Sequence, residues 1–329
     1  MHLKDIQSIH RPYDHVYISP HFDDVAASCS GKILQQRGRK ESVLVVTAFT
    51  APAGSKPTHI NSSLTSMLDY DARRQEDLRA MQILDADCLW LEYPEILFRD
   101  PNPWHRYAPN IRTTPDAHQL CRELALKLEH VCRTTACADL TLPLGVGQHM
   151  DHQILFEAGI QLLDTADRSY DVRFYEELPY ALFSALLEYR LKKTGVGSSG
   201  IRSGYRTRMA RQYLPVKQQV RLLFEFPSLG MHRALLKPWV FLGVLCLEAL
   251  ARCFVKPEQD FFRNGRCVAE IQDITPFIDS KLDTICAYSS QLSGLMASRT
   301  VIKKGLAAHA HTLGMAQGCF GERYWHVIW

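Results

Sequence analysis

His21, Asp23 and Asp24 stand within four residues of one another, in the stretch HVYISPHFDDVAASCSGKI. A second group, His149, Asp151 and His152, stands more than a hundred residues later in VGQHMDH. Two adjacent carboxylates repel each other, so they are a poor choice for a plain strand end and a good one for gripping a cation. Zinc in hydrolases is usually held by three nitrogen or oxygen ligands, with a water at the open position. Two histidines and one carboxylate suit that role. A free carboxylate nearby can take a proton from the attacking water, and a further histidine can stabilise an oxyanion or protonate a leaving group. Neighbours in sequence, Asp23 and Asp24 point in different directions, so one can face an ion and the other a substrate. His149 and His152 are three apart, close to one helical turn, and can share a face.

The surrounding pattern says which elements must position them. Short, β-branched, nearly continuous apolar runs at 15–19 and 42–49 look like strands covered on both faces. Further strands are expected at 88–93, 138–145 and 172–180. Helical spacing covers 24–38, with Gly38 as a stop signal, then 64 to about 85, 115–133 and 152–164. Strict alternation of strand and helix predicts a mainly parallel sheet wrapped by helices. In such folds sites form outside the carboxyl ends of the strands. His21 and Asp24 follow one such end and VGQHMDH follows another, so topology predicts that the two polar groups share one crevice.

Of the 329 residues 46% are hydrophobic and 22% charged, the balance of a soluble globular enzyme. A net charge of +3 is too mild to imply a nucleic-acid partner. The charge is unevenly placed, since eleven basic residues between Arg190 and Lys237 face one acid, Glu225. This stretch reads as a solvated surface, as a patch drawing an anionic substrate, or as a macromolecular contact. The apolar run 238–255 is short for a membrane span and is broken by Glu248 and Arg252. It reads as a packed helix in preference to one lying on a membrane surface. MHLKDIQSIHRPYD lacks the apolar stretch of a signal peptide. The ten cysteines form no CxxC pair and read as reduced thiols of a cytoplasmic protein. Neither GxGxxG nor GxxxxGK[ST] occurs, so no nucleotide cofactor is indicated.

SPHFDDVAASCSG resembles the PHxDD motif of the LmbE/PIG-L family of zinc-dependent N-deacetylases, and GQHMDH resembles that family's HxDH motif. RRQED (73–77), FYEELPY (174–180), KLDTICAYSSQ (281–291) and GERYW (321–325) echo it further. The resemblance implies His21, Asp24 and His152 as metal ligands and Asp23 as general base. It implies His149 as the electrostatic or acid partner, Asp151 as the group that orients an imidazole, and Arg73 as a substrate contact. Many members read PHPDDE where this chain has Phe22 and Val25, neither of them an inferred ligand. Some carry a tyrosine where this chain has Gly147. Simpler local readings stand beside these. Asp151 also suits a helix N-terminus, Arg73 could pair with Asp77 on an exposed helix face, and YSSQ (288–291) reads as a packing and hydrogen-bonding feature.

The resulting expectation is one α/β domain over 1–329, a Rossmann-like three-layer sandwich with a mainly parallel sheet and a basic helical insertion or lid at about 190–264. The expected activity is Zn2+-dependent amide hydrolysis, with Fe2+ as the substitute metal. The expected substrate is a small N-acetylated amino sugar or glycoconjugate such as an N-acetylglucosamine derivative, anionic if the basic stretch draws it. The alternatives are cleavage of a larger acyl amide of a thiol-sugar conjugate or natural product, and a non-catalytic, metal-bearing sugar-binding module.

Overall fold

The apolar runs form strands because both of their faces are covered. An edge strand β1 (His2–Leu3) precedes β2 (His15–Ser19), β3 (Val43–Thr47), β4 (Asp87–Trp90), β5 (Asp139–Pro143) and β6 (Asp171–Tyr175). All six run parallel. Two later strands, β7 (Arg266–Asp273) and β8 (Gly321–Ile328), join antiparallel, giving the order β1-β4-β3-β2-β5-β6-β8-β7. The computed structural model describes residues 1–51, 69–100, 102, 105–106, 111, 116–164, 169–195, 242–243, 246, 266–292 and 298–328.

Alternate strand residues feed two cores. Tyr17, Val43, Val45 and Cys88 pack against α1 (Asp24–Gly38) and α2 (Tyr70–Leu84). Val16, Ile18, Leu44, Val46, Leu140 and Leu142 share the other core with α4 (Ala117–Thr135) and α5 (Met150–Leu163). Each fully buried aliphatic side chain contributes about 1.5–3 kcal/mol, so both helical layers are fixed to the sheet. Between β4 and α4 lies one short helical turn, α3 (Ile96–Arg99). Helix α6 (Ser184–Thr194) follows β6, while α7 (Ile278–Cys286) and α8 (Arg299–Thr312) lie between β7 and β8.

One boundary differs from the expectation, and so does the burial of two cations. The fifth strand ends at Tyr175 instead of continuing to 180, because Glu176 and Glu177 turn inward to bind partners described below. The basic stretch begins inside α6, where Arg190 and Lys193 are buried. Arg190 Nε donates to the carbonyl of Leu144 (2.6 Å), so these two cations are structural and not solvated. The basic stretch beyond Gly195 and nearly all of 238–255 lie outside the described residues. Among the described residues no disulfide occurs, and no helix is long and apolar enough to cross a membrane.

The seat of α1 matters because this helix begins at the polar cluster. The backbone N–H groups of Gly31 and Lys32 donate to the two carboxylate oxygens of Glu322 on β8, at 2.8 and 3.0 Å. Lys281 of α7, with no exposed surface, donates to the same carboxylate at 2.7 Å. A methyl group at Gly31 would stand 2.5 Å from Ile274 Cγ2 and 2.6 Å from its Cβ. Gly31→Ala is therefore expected to lower stability by about 2–3 kcal/mol in urea denaturation, through overpacking. An unchanged midpoint would show that α1 can shift freely against β8.

Candidate active site

β2 and β5 are neighbours where the strand order reverses, with β3 and β4 beyond one and β6 beyond the other. Such a switch point leaves a crevice outside the carboxyl ends of the strands, and both polar groups fill it. The backbone N–H of His21 donates to Asp24 Oδ2 at 2.8 Å. The same oxygen lies 3.1 Å from His21 Nδ1 and 3.3 Å from His152 Nε2. Ligand atoms about 2.1 Å from a tetrahedral ion sit ~3.4 Å apart, close to these separations. One nitrogen from each of His21, His149 and His152 also lies within 4.8 Å of the others.

Carboxylates stand behind the imidazoles, as they do behind metal-bound histidines. His152 Nδ1 is 3.2 Å from Glu177 Oε1. His21 Nε2 is 3.1 Å from Asp151 Oδ2 and 3.9 Å from Glu95 Oε2. Burial alone would keep these histidines neutral. The carboxylates Glu95, Asp151 and Asp24 overcome it and hold His21 well above the ordinary histidine value. Asp24 and Glu177 bring His152 up to about 9. For Asp24 burial is again opposed, and the charges of His152 and His21 hold it well below the carboxylate range. The site is thus built to stabilise concentrated positive charge, and its two imidazoles and carboxylate oxygen suit a divalent metal.

Asp151 is fully buried and uses both oxygens. Oδ1 accepts from Arg99 Nη2 at 2.9 Å, and Oδ2 accepts from the Ile96 N–H at 3.0 Å while facing His21. Despite burial, Arg99 and His21 hold it below the ordinary carboxylate value. His149 caps the start of α5 without a side-chain cap bond. Arg106 Nε donates to its Nε2 at 3.2 Å, and its Nδ1 lies 4.0 Å from Asp151. Burial and the nearby charge of His21 hold His149 well below the ordinary value, so it is neutral.

Asp23 is the N-cap residue of α1 yet makes no side-chain cap bond. Burial and the charge of Asp24 raise it to about 6. It lines a crevice with Ile285, Tyr288, Gln291 and Leu292. Arg73 is not on an exposed face; it is 3% exposed and donates to Glu95 Oε1 at 2.6 Å. The pairing with Asp77 is absent because Asp77 accepts from Trp90 Nε1 and the Tyr288 hydroxyl, at 2.8 and 2.7 Å.

Glu95, Arg99, Arg106 and Glu177 are members of the cluster that sequence reasoning did not single out. For Glu177 a signal existed inside the FYEELPY echo; for the others only the loop after β4 did. At Gly147 the backbone has φ +85°, and an added Cβ would stand 2.6 Å from Cγ of Tyr180. The Tyr180 ring therefore fills the space that a side chain at 147 would need.

A family model described as PIG-L: GlcNAc-PI de-N-acetylase matches residues 16–163. Two curated relatives are 2'-N-acetylparomamine deacetylases, from Niallia circulans and Streptomyces fradiae. Each is 26% identical, over 190 and 165 residues, matching 50% of this chain. The matches span 66% and 56% of those relatives, less than two thirds of either. Among solved structures, the zinc-inhibited form of the teicoplanin deacetylase Orf2 is similar with a TM-score of 0.61. It is 19% identical, with 97% of this chain and 98% of that chain covered, a likeness that speaks for the fold.

Proposed function

We propose that this chain, which carries a PIG-L domain over residues 16–163, is a metal-dependent N-deacetylase of an N-acetylated amino sugar in a natural-product or glycoconjugate precursor. One observation carries the reading. Asp24 Oδ2 lies within 3.3 Å of both His21 Nδ1 and His152 Nε2, while Asp23 next to it makes no side-chain cap bond. The names of the two curated relatives support the substrate class.

His21, Asp24 and His152 would hold the ion, proposed as Zn2+ with Fe2+ accepted by the same donors. When bound, such an ion polarises the amide carbonyl and acidifies the attacking water. Asp23 takes the proton from that water, its burial placing its affinity for protons near neutrality. His149 would stabilise the charge that develops on the carbonyl oxygen, its neutral imidazole accepting from Arg106 Nε and so linking that cation to the site. Asp151 orients His21, and Glu177 orients His152. Arg73, buried and paired with Glu95, would contact the substrate from the edge of the same cluster.

The test combines metal analysis of protein purified without chelator with acetate release from 2'-N-acetylparomamine. One divalent ion per chain and acetate release abolished by chelator are expected. Release confined to longer acyl amides would move the substrate class; tight binding of the acetyl sugar without release would make the chain a binding module.

A further inference from the structure

The segment Tyr288 to Gln291 presents an oddity at the edge of the site. Its first three residues are tied to α2. The Tyr288 hydroxyl donates to Asp77, the Ser289 hydroxyl to Glu76 Oε1 at 2.7 Å, and the Ser290 hydroxyl to Glu76 Oε2 at 2.6 Å. Gln291 is only 2% exposed, yet its Oε1 has no hydrogen-bond partner among the described residues. Its Nε2 makes one long contact of 3.4 Å to Ser290 Oγ. Exchanging the amide oxygen and nitrogen only moves the deficit to the other atom. Gln291 lines the same crevice as Asp23, with Ile285, Tyr288 and Leu292. A buried amide left unsatisfied beside a reactive carboxylate, on a segment anchored by three hydroxyls, is preorganised for a ligand.

We propose that Gln291 is a substrate-positioning residue. Its amide hydrogen-bonds the hydroxyl next to the acetamido group, which selects vicinal hydroxy-acetamides and presents the scissile carbonyl to the water that Asp23 deprotonates. A hydroxyl both donates and accepts, as the amide does, and on a sugar it is the polar group beside the reacting one. The inference rests on the deacetylase reading of the site.

The test compares Gln291→Met with wild type on 2'-N-acetylparomamine and on the same probe lacking the hydroxyl beside its acetamido group. The variant should melt at the wild-type temperature or higher, because an unpaired buried polar atom is removed. On the hydroxylated probe kcat/KM should fall roughly tenfold to a hundredfold; on the deoxy probe the two enzymes should agree within about twofold. Equal losses on both probes, or a lowered melting temperature, would assign Gln291 a merely structural role. Calorimetry in an Asp23→Asn background separates this from failure of the reading itself. If the probe binds, and binds about tenfold more weakly with Gln291→Met, while wild type releases no acetate, the contact stands and the hydrolysis falls. A probe that neither binds nor reacts overturns both.

Discussion

Replacing Asp23 by asparagine is expected to lower kcat for acetate release about a thousandfold, the range of a lost general base, while metal content stays at the wild-type level. The carboxylate of Asp23 caps no backbone N–H and lies beside the charge of Asp24. Asparagine keeps the shape and removes that repulsion, so the melting temperature should hold or rise. Wild-type rate should fall on an acid limb at or below about 6, because the base works only when deprotonated and burial raises Asp23 to about that value before a cation is bound. A cation bound nearby favours the carboxylate and moves this limb lower. The residual rate of the variant should lack the limb. Retention of more than a tenth of wild-type kcat would remove Asp23 from the role.

The same neighbourhood shows what a sequence can and cannot disclose. PHFDD and HMDH were legible because each packs several reactive side chains into a few residues after an apolar strand. The parallel core was legible too, since β3 and β5 are buried from end to end and β2 from Val16 onward, and β2 and β3 read as nearly continuous apolar runs. Strand β8 is buried from Gly321 to Trp325 but carries Glu322 and Arg323. Their charges are met by Lys281 and Glu176, which are far away in sequence, and no local pattern can reveal that. Periodicity placed Arg73 and Asp77 on one face of α2 without saying whether water lies there. Both turned out to be buried, with separate partners. Arg190 and Lys193 misled for the same reason, since charge suggests solvent until a carbonyl such as that of Leu144 is found to accept from it. Glu95, Arg99 and Arg106 come from the segment after β4, where a residue matters through its approach in space and leaves no spacing signal.

Glu177 should prove the most costly of these unheralded residues to remove. It has no exposed surface, and one carboxylate serves three groups. Its Oε1 accepts from the Gly145 N–H at 2.5 Å and lies 3.2 Å from His152 Nδ1, while Oε2 accepts from the Val146 N–H at 3.0 Å. It therefore shapes the turn between β5 and α5 and also fixes the imidazole that the turn presents. Glu177→Ala leaves two buried N–H groups unmatched, and about 3–5 kcal/mol of stability should be lost in urea denaturation. Because second partners of metal-bound histidines set their orientation and basicity, metal affinity should fall about tenfold to a hundredfold in chelator competition. Glu177→Gln separates the two roles. Its amide oxygen can still accept from one of the two turn N–H groups while its NH2 faces the other, so only part of the stability should return, and without the negative charge His152 stays a weaker ligand and metal affinity stays low. Wild-type affinity in the glutamine variant would mean that Glu177 serves the turn alone and that His152 is oriented by Asp24.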